Sequence, residues 1–306
     1  MKVTSIDQLS SLSQDNLVQD TIDQYLGYHE ASGSSDSTKR AYRYHLGEFL
    51  QFLQRQGVST VERISPDLIR QNLAELQNAG LKPNTVHGRY RHVKAWLIFL
   101  ENQETITTNP IRKVKAPKRP KVIHPALSED EVRKITLSLR GTDAYSVRNM
   151  AIWLTMLDTA LRLKEVAGIK VGQIDQGSGV IKVTGKGSKD RFVRIGNQTL
   201  RSVSKWVRLR QGEPEDALWL GKQGPMGDHG ITMLFKKVSQ STGVHVHPHK
   251  VRRTAALLML RSGMDLATLS LYMGHESIQT TMLYLALDNT DLARSHAQHS
   301  PVDGLL

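Results

Sequence analysis

The sequence predicts a mainly helical chain of the α+β class, built as two domains with a small β-hairpin region in the second. Three observations carry that prediction. Apolar residues recur at helical spacing from Asn16 to about Glu101. Residues 109–125, NPIRKVKAPKRPKVIHP, hold four prolines and six Lys/Arg with no acidic residue, and proline at that density forbids a continuous helix or a central strand. Beyond them, two five-residue runs alternate apolar and polar side chains inside an otherwise helical stretch. A chain of 306 residues has room for two cores of ordinary size.

The elements follow in order. Residues 1–13 are polar and expected to be loose. The first domain is expected over 14–108. Tyr42, Leu46, Phe49, Leu50 and Leu53 mark one buried helical face. Ser65-Pro66-Asp67 reads as a helix start, with Ser65 as cap and Pro66 in the first turn, and Gly80 reads as the stop. A further helix follows Pro83-Asn84, with Val86, Tyr90, Val93, Leu97 and Leu100 apolar. Its other positions carry His87, Arg89, Arg91 and Lys94, either a solvated face or a surface for phosphates.

The basic proline-rich segment 109–125 is read as a linker, and the second domain spans 126–306. Ser128 with Glu131 is a capping-box pattern, and an apolar helix is expected around 150–157. Gly179-Val180-Ile181-Lys182-Val183 and Arg191-Phe192-Val193-Arg194-Ile195 are the two alternating runs, joined by the glycine-rich turn TGKGSKD. Helices are expected near 200–209, 231–239, 250–261, 266–273 and 278–287.

Composition narrows the function. The formal net charge is +12 and the isoelectric point about 9.8, which favours a polyanionic partner. The absence of cysteine excludes disulfides and thiolate metal sites. No apolar run approaches the length of a membrane span and the N-terminus carries no signal-peptide pattern, so a cytoplasmic protein without a membrane partner is expected.

Several motifs invite chemistry. The GKG turn fails as a phosphate loop: five residues separate Gly179 from Gly185, Lys186 precedes glycine, and a strand pattern follows. His245, His247 and His249 alternate, but Pro248 interrupts them and no HExxH pattern accompanies them, so no metal is expected. Pro248 instead starts a helix that carries His249 and Arg252 three residues apart. Such a pair suits one phosphate, the arginine as a two-donor clamp and the histidine as a proton carrier. Arg162 and Glu165, three residues apart, suit an internal ion pair in which the acid orients the arginine. His275 follows Gly274 at a helix end. Tyr284 lies in TTMLYLAL, and its phenol needs nearby cations and a base to act as a nucleophile at neutral pH.

In order and local wording these signatures resemble the tyrosine recombinase, or phage integrase, family. They are TALRLKEVAGI with Arg162, VTGKGSKDRFV with Lys186, HPHKVRRTAA with His249 and Arg252, LYMGHESI with His275, and the late Tyr284. The resemblance covers about residues 14–300 and rests on five motifs agreeing in order. It implies a helical core-binding domain and a tyrosine-recombinase catalytic domain closing as a C-shaped clamp on duplex DNA. It implies cleavage through a 3′-phosphotyrosine, with Tyr284 as nucleophile. Arg162, Arg252 and His275 would hold the phosphate and His249 would move a proton. Lys186 would be the acid on the leaving 5′ oxygen, with Lys189 and Arg191 as its competitors. The expected DNA contacts are His87, Arg89, Arg91, Lys94, Arg112, Lys113, Lys115, Lys118, Arg119, Lys121, Lys189 and Arg191. The family implies no cofactor and no metal, a core site of inverted repeats, and four protomers on two synapsed sites. A tail of about 286–306 would join neighbouring protomers, accessory DNA-bending proteins would assist, and the enzyme would work at the nucleoid in integration, excision or resolution of a mobile element or replicon. A silent DNA-binding protein on the same scaffold and a topoisomerase IB-like enzyme are the alternatives. The chain departs from many members in having Arg253 after the second arginine and Leu285-Ala286 after the tyrosine.

Overall fold

A computed structural model describes residues 16–120, 124–185, 190–213, 215–274 and 277–285. Two compact units divide the chain between Val122 and Ile123.

The first unit is a helical bundle of α1 (Val18–Ala31), α2 (Asp36–Arg55), α3 (Pro66–Asn78) and α4 (Pro83–Asn102). Local chemistry sets these ends. The Ser65 hydroxyl accepts from the Leu68 amide at 3.2 Å and Pro66 opens α3. Gly80 takes a φ of +76° just past the helix, where a side chain would be strained. The core is built on Leu46, Phe49, Phe52, Leu53, Val86, Trp96, Leu97 and Leu100, all essentially closed to water. The start of the basic proline-rich segment belongs to this core. Pro110–Lys113 forms a 3₁₀ turn capped by Asn109, and Ile111 and Val114 are buried. Short-range apolar residues between the cations make that packing possible.

The second unit is mixed. Its helices are α5 (Glu129–Ser138), α6 (Ala144–Thr159), α7 (Leu163–Ala167), α8 (Asn197–Arg210), α9 (Asp228–Thr242), α10 (Pro248–Arg261), α11 (Leu266–Met273) and α12 (Ile278–Leu285). The capping box at α5 is formed in both directions, Ser128 to the Glu131 amide and Glu131 to the Ser128 amide. A three-stranded antiparallel sheet runs β1 (Ile174–Asp175), β2 (Val180–Thr184), β3 (Asp190–Arg194), with Ile181 opposite Val193 and Val183 opposite Arg191. A second pair, β4 (Leu220–Gly221) and β5 (Gly224–Pro225), forms a tight hairpin. Apolar positions of β2 and β3 face a core centred on Trp153, Met156, Val166, Trp219 and Phe235. A satellite cluster of Ala160, Ala255, Ala256, Leu269 and Met273 joins α10 and α11 to the end of α6. That cluster positions the site.

Candidate active site

The site grows from one backbone feature. α6 ends at Ala160 in the left-handed conformation, φ +51°, so the chain turns sharply and presents Arg162 as the N-cap of α7. α11 ends the same way at Gly274, φ +64°. A helix C-terminus leaves carbonyls unpaired and carries negative potential, so it attracts guanidinium groups. Three arginines from three elements converge there.

Arg252, on α10, is 5% exposed and donates Nη1 to the Ala160 carbonyl at 2.6 Å and Nη2 to the Met273 carbonyl at 3.1 Å. It ties both left-handed ends together. Arg162 donates Nη2 to the Gly274 carbonyl at 2.9 Å and Nη1 to Glu165 at 3.2 Å, and its side chain remains 41% exposed. Arg191, on β3, donates Nη1 and Nη2 to the two Glu165 oxygens at 2.8 and 2.9 Å, and Nε to the Tyr272 carbonyl at 3.2 Å. Gly274 makes room for it: a Cβ there would lie 3.2 Å from the guanidinium carbon.

Glu165 is the common acceptor. Its side chain is only 7% exposed, and its Oε2 also accepts from the Arg162 amide at 2.8 Å. Burial pushes its carboxyl up, but the hydrogen bonds from Arg191 and the Arg162 amide, with the charge of both arginines, outweigh this and hold it below the ordinary range. The carboxylate stays ionised and leaves a surplus of positive charge among three guanidiniums.

His249 is exposed in the first turn of α10. Ahead of it, the His247 ring accepts from the Lys250 amide at 3.3 Å and caps the helix. Arg253 donates to the carbonyls of His124 and Pro125 at 2.9 and 3.1 Å and ties the start of this unit to α10. Tyr284 falls within α12, whose bounds are described, while its side chain lies outside the described residues. Lys186, Lys189, His275 and Lys121 also lie outside the described residues, as does the segment 286–306.

The proposed DNA contacts divide. Arg91, Lys94, Lys113, Lys115, Lys118 and Arg119 are exposed. Arg89 is turned inward onto Glu48 at 2.8 Å and is 16% exposed. Arg112 is paired with Glu101 through two bonds of 2.8 and 3.1 Å. His87 bonds the Pro117 carbonyl at 2.9 Å. Arg191 faces Glu165 rather than solvent. Sequence reasoning read the helix end at Gly274 but missed the left-handed end at Ala160, which no glycine marks. It also missed the role of Arg191, which alternation in β3 places on the face away from Phe192 and Arg194.

Comparison with known proteins agrees with this geometry. Residues 125–291 match the model of the phage integrase family, and residues 22–107 match the phage integrase N-terminal SAM-like domain. The chain belongs to the phage integrase family of tyrosine recombinases. It is 30% identical to tyrosine recombinase XerC of Actinobacillus succinogenes over 272 residues, covering 87% of this chain and 92% of that one. It is equally 30% identical to XerC of Vibrio cholerae over 283 residues, covering 90% and 91%. Among solved structures, the XerH recombinase bound to a palindromic difH substrate has a TM-score of 0.74 at 17% identity, covering 90% of this chain and 83% of that one. The Tn1549 transposon integrase in complex with transposon right end DNA has a TM-score of 0.71 at 18% identity, covering 93% and 99%. These two likenesses establish the fold. Family membership makes the chain a DNA strand-breaking and rejoining enzyme with DNA as its partner, and neither alternative reading is favoured.

Proposed function

We propose that this chain exchanges DNA strands at a core site of inverted repeats, through a covalent 3′-phosphotyrosine and a Holliday junction. Tyr284 is the nucleophile. Its phenolic oxygen forms a bond to phosphorus as the bond from phosphorus to the 5′ oxygen breaks. The phenolic proton passes to His249, and Lys186 gives a proton to the leaving oxygen. Arg162, Arg252 and His275 hold the charge that builds on the phosphorus oxygens. The new phosphodiester stores the energy of the old one, so the cycle runs without nucleotide or metal.

The observation that carries this reading is the gathering of Arg162 and Arg252 at one helix end, from elements far apart in sequence, beside a buried carboxylate that leaves net positive charge. Such a cluster suits a phosphate whose charge rises in the transition state. By the family's pattern four protomers synapse two sites, the tail 286–306 joins neighbours, and accessory DNA-bending proteins guide assembly on the nucleoid, at a mobile element or replicon.

The test uses a core duplex recovered by binding selection from a randomised pool and nicked near its centre to trap the adduct. Wild type is expected to become covalently joined to it, and Tyr284→Phe to bind it without joining. An undiminished adduct in Tyr284→Phe would move the nucleophile elsewhere. Lys186→Ala is expected to slow cleavage by about 10²–10⁴-fold, the usual worth of a general acid. A 5′-bridging phosphorothiolate, whose leaving sulfur needs no proton, should restore it. Equal slowing on both substrates would hand the acid role to Lys189 or another group. Binding without any adduct in wild type would favour a silent accessory protein, and relaxation of plasmids lacking the site would favour a topoisomerase.

A further inference from the structure

Arg191 has an unusual place for a cation beside a phosphate site. All three of its guanidinium nitrogens are engaged, two on Glu165 and one on the Tyr272 carbonyl. Its side chain is 18% exposed, against 41% for Arg162. Glu165 bonds Arg191 through both oxygens at 2.8 and 2.9 Å, but the Arg162 guanidinium through one oxygen at 3.2 Å. The tighter partner of the buried carboxylate is therefore the arginine with less access to solvent.

We propose that Arg191 is a positioning residue that occupies Glu165, so that Arg162 keeps its charge and its outward face for the scissile phosphate. This rests on the phosphotyrosine mechanism proposed above. Arg162 and Arg191 compete for one carboxylate. A bidentate arginine–carboxylate pair is the preferred geometry of both groups. Arg162 lies three residues from Glu165 and already touches it. Without Arg191, Glu165 would lose its bidentate partner in a site shielded from water and keep only the Arg162 amide on Oε2 and the single 3.2 Å guanidinium bond on Oε1. A buried carboxylate demands a cation, and Arg162 is the one within reach. It would rotate inward and be neutralised. With Arg191 present, the carboxylate is satisfied from the side of the sheet, and its remaining bonds to Arg162 orient that residue without capturing it. Gly274 completes the device, since its missing side chain is what lets the Arg191 guanidinium lie against the end of α11.

Charge compensation distinguishes this role from plain structural support. If Arg191 acts by occupying Glu165, removing the carboxylate as well should release Arg162. Arg191→Met is expected to bind the selected core duplex within about twofold of wild type. At saturating protein it should form the covalent adduct about 10²-fold more slowly, the scale of losing one transition-state donor. Arg191→Met combined with Glu165→Gln should recover about tenfold of that loss, a coupling between two contacting groups. Arg191→Lys keeps the charge but cannot bridge both oxygens, and should fall between. A thermal melt of each variant reports folding. If Arg191→Met does not fold, Arg191→Lys is read in its place, and a wild-type rate in it overturns the proposal. Adduct formation by folded Arg191→Met at the wild-type rate overturns it too, as does a double variant no faster than the single one. Absence of any adduct in wild type would instead overturn the mechanism on which the role depends.

Discussion

Glu165 is held in a low-water setting by two arginines, and this makes its protonation a measurable event. Its ionised form is favoured in the folded chain, so its folded pKa lies below the ordinary value of about 4.3. By linkage, the stabilisation is fully present above that ordinary value and is lost as pH falls through the depressed one. The exposed acids Asp143, Asp175, Asp190 and Asp265 are also lowered, by hydrogen bonds, and add acid-side losses of their own. The difference between wild type and Glu165→Gln isolates the buried group. Fluorescence melts between about pH 3 and 6 should show a shallower acid decline in Glu165→Gln. Trp153, Trp206 and Trp219 report on this unit. Parallel acid declines would mean that Glu165 is not held as described. Arg252 makes a second case. Lysine there keeps one charge but cannot reach the carbonyls of Ala160 and Met273 together. Arg252→Lys should therefore lose about 1–3 kcal/mol of stability, the cost of a buried unpaired acceptor, and cleave about 10²–10³-fold more slowly. Chemical denaturation and single-turnover cleavage measure the two effects separately.

At the scale of the element, α10 carries both His249 and Arg252, and its start depends on a histidine in neutral form. His247 accepts from the Lys250 amide, which a doubly protonated ring cannot do. Burial first, and then the nearby His245, Arg253, His249 and Lys250, lower its pKa. The cap is thus fully present above the ordinary histidine value of about 6.5 and is lost as pH falls through the lowered one. His247→Asn should keep a cap and remove this pH dependence, while His247→Ala should cost about 1 kcal/mol near neutral pH. Hydrogen exchange of the α10 amides would reveal both, and an unaltered pH profile in His247→Asn would remove the switch from His247. Caps of this kind explain what was legible beforehand. Ser65, Ser128 and Pro248 act on adjacent backbone, so their meaning is local, and the helices they open were readable. So were β2 and β3, whose alternation records a half-buried sheet. The two-residue strands β1, β4 and β5 are too short to carry any period and exist only through their partners. α7, at five residues, is likewise held by what surrounds it. The inward turns of Arg89 and Arg191 depended on Glu48 and Glu165 arriving from other elements, and nothing in a basic residue's own neighbourhood announces a distant acid.

For the whole molecule, the surplus of positive charge matters through where it is free. The chain carries 41 Lys/Arg against 29 Asp/Glu. Each of its two units has its own hydrophobic core, so each is expected to fold and bind DNA alone, more weakly than the intact chain. Within the first unit the basic segment is fastened to α4. Tyr90 donates to the Val114 carbonyl, His87 bonds that of Pro117, and Arg119 reaches Asn84. Its cations from Arg112 to Arg119 are consequently held along α4, the helix that also carries the exposed Arg91 and Lys94. Salt dependence counts released counterions, with a slope of about 0.9 per neutralised phosphate on duplex DNA. Lys113, Lys115, Lys118 and Arg119 are exposed, and changing all four to glutamine should lower the slope by about 3.6 if each meets a phosphate. Arg89 and Arg112 already hold Glu48 and Glu101. Changing Arg89 to glutamine should therefore leave the slope nearly as it was and instead lower stability, because Glu48 would lose its inward partner. Binding isotherms on the core duplex between about 50 and 200 mM salt decide the matter. A slope unchanged in the fourfold variant would show that the segment does not follow the backbone. A slope that falls with Arg89→Gln would mean that this pair opens on DNA and that its arginine is spent on phosphate after all.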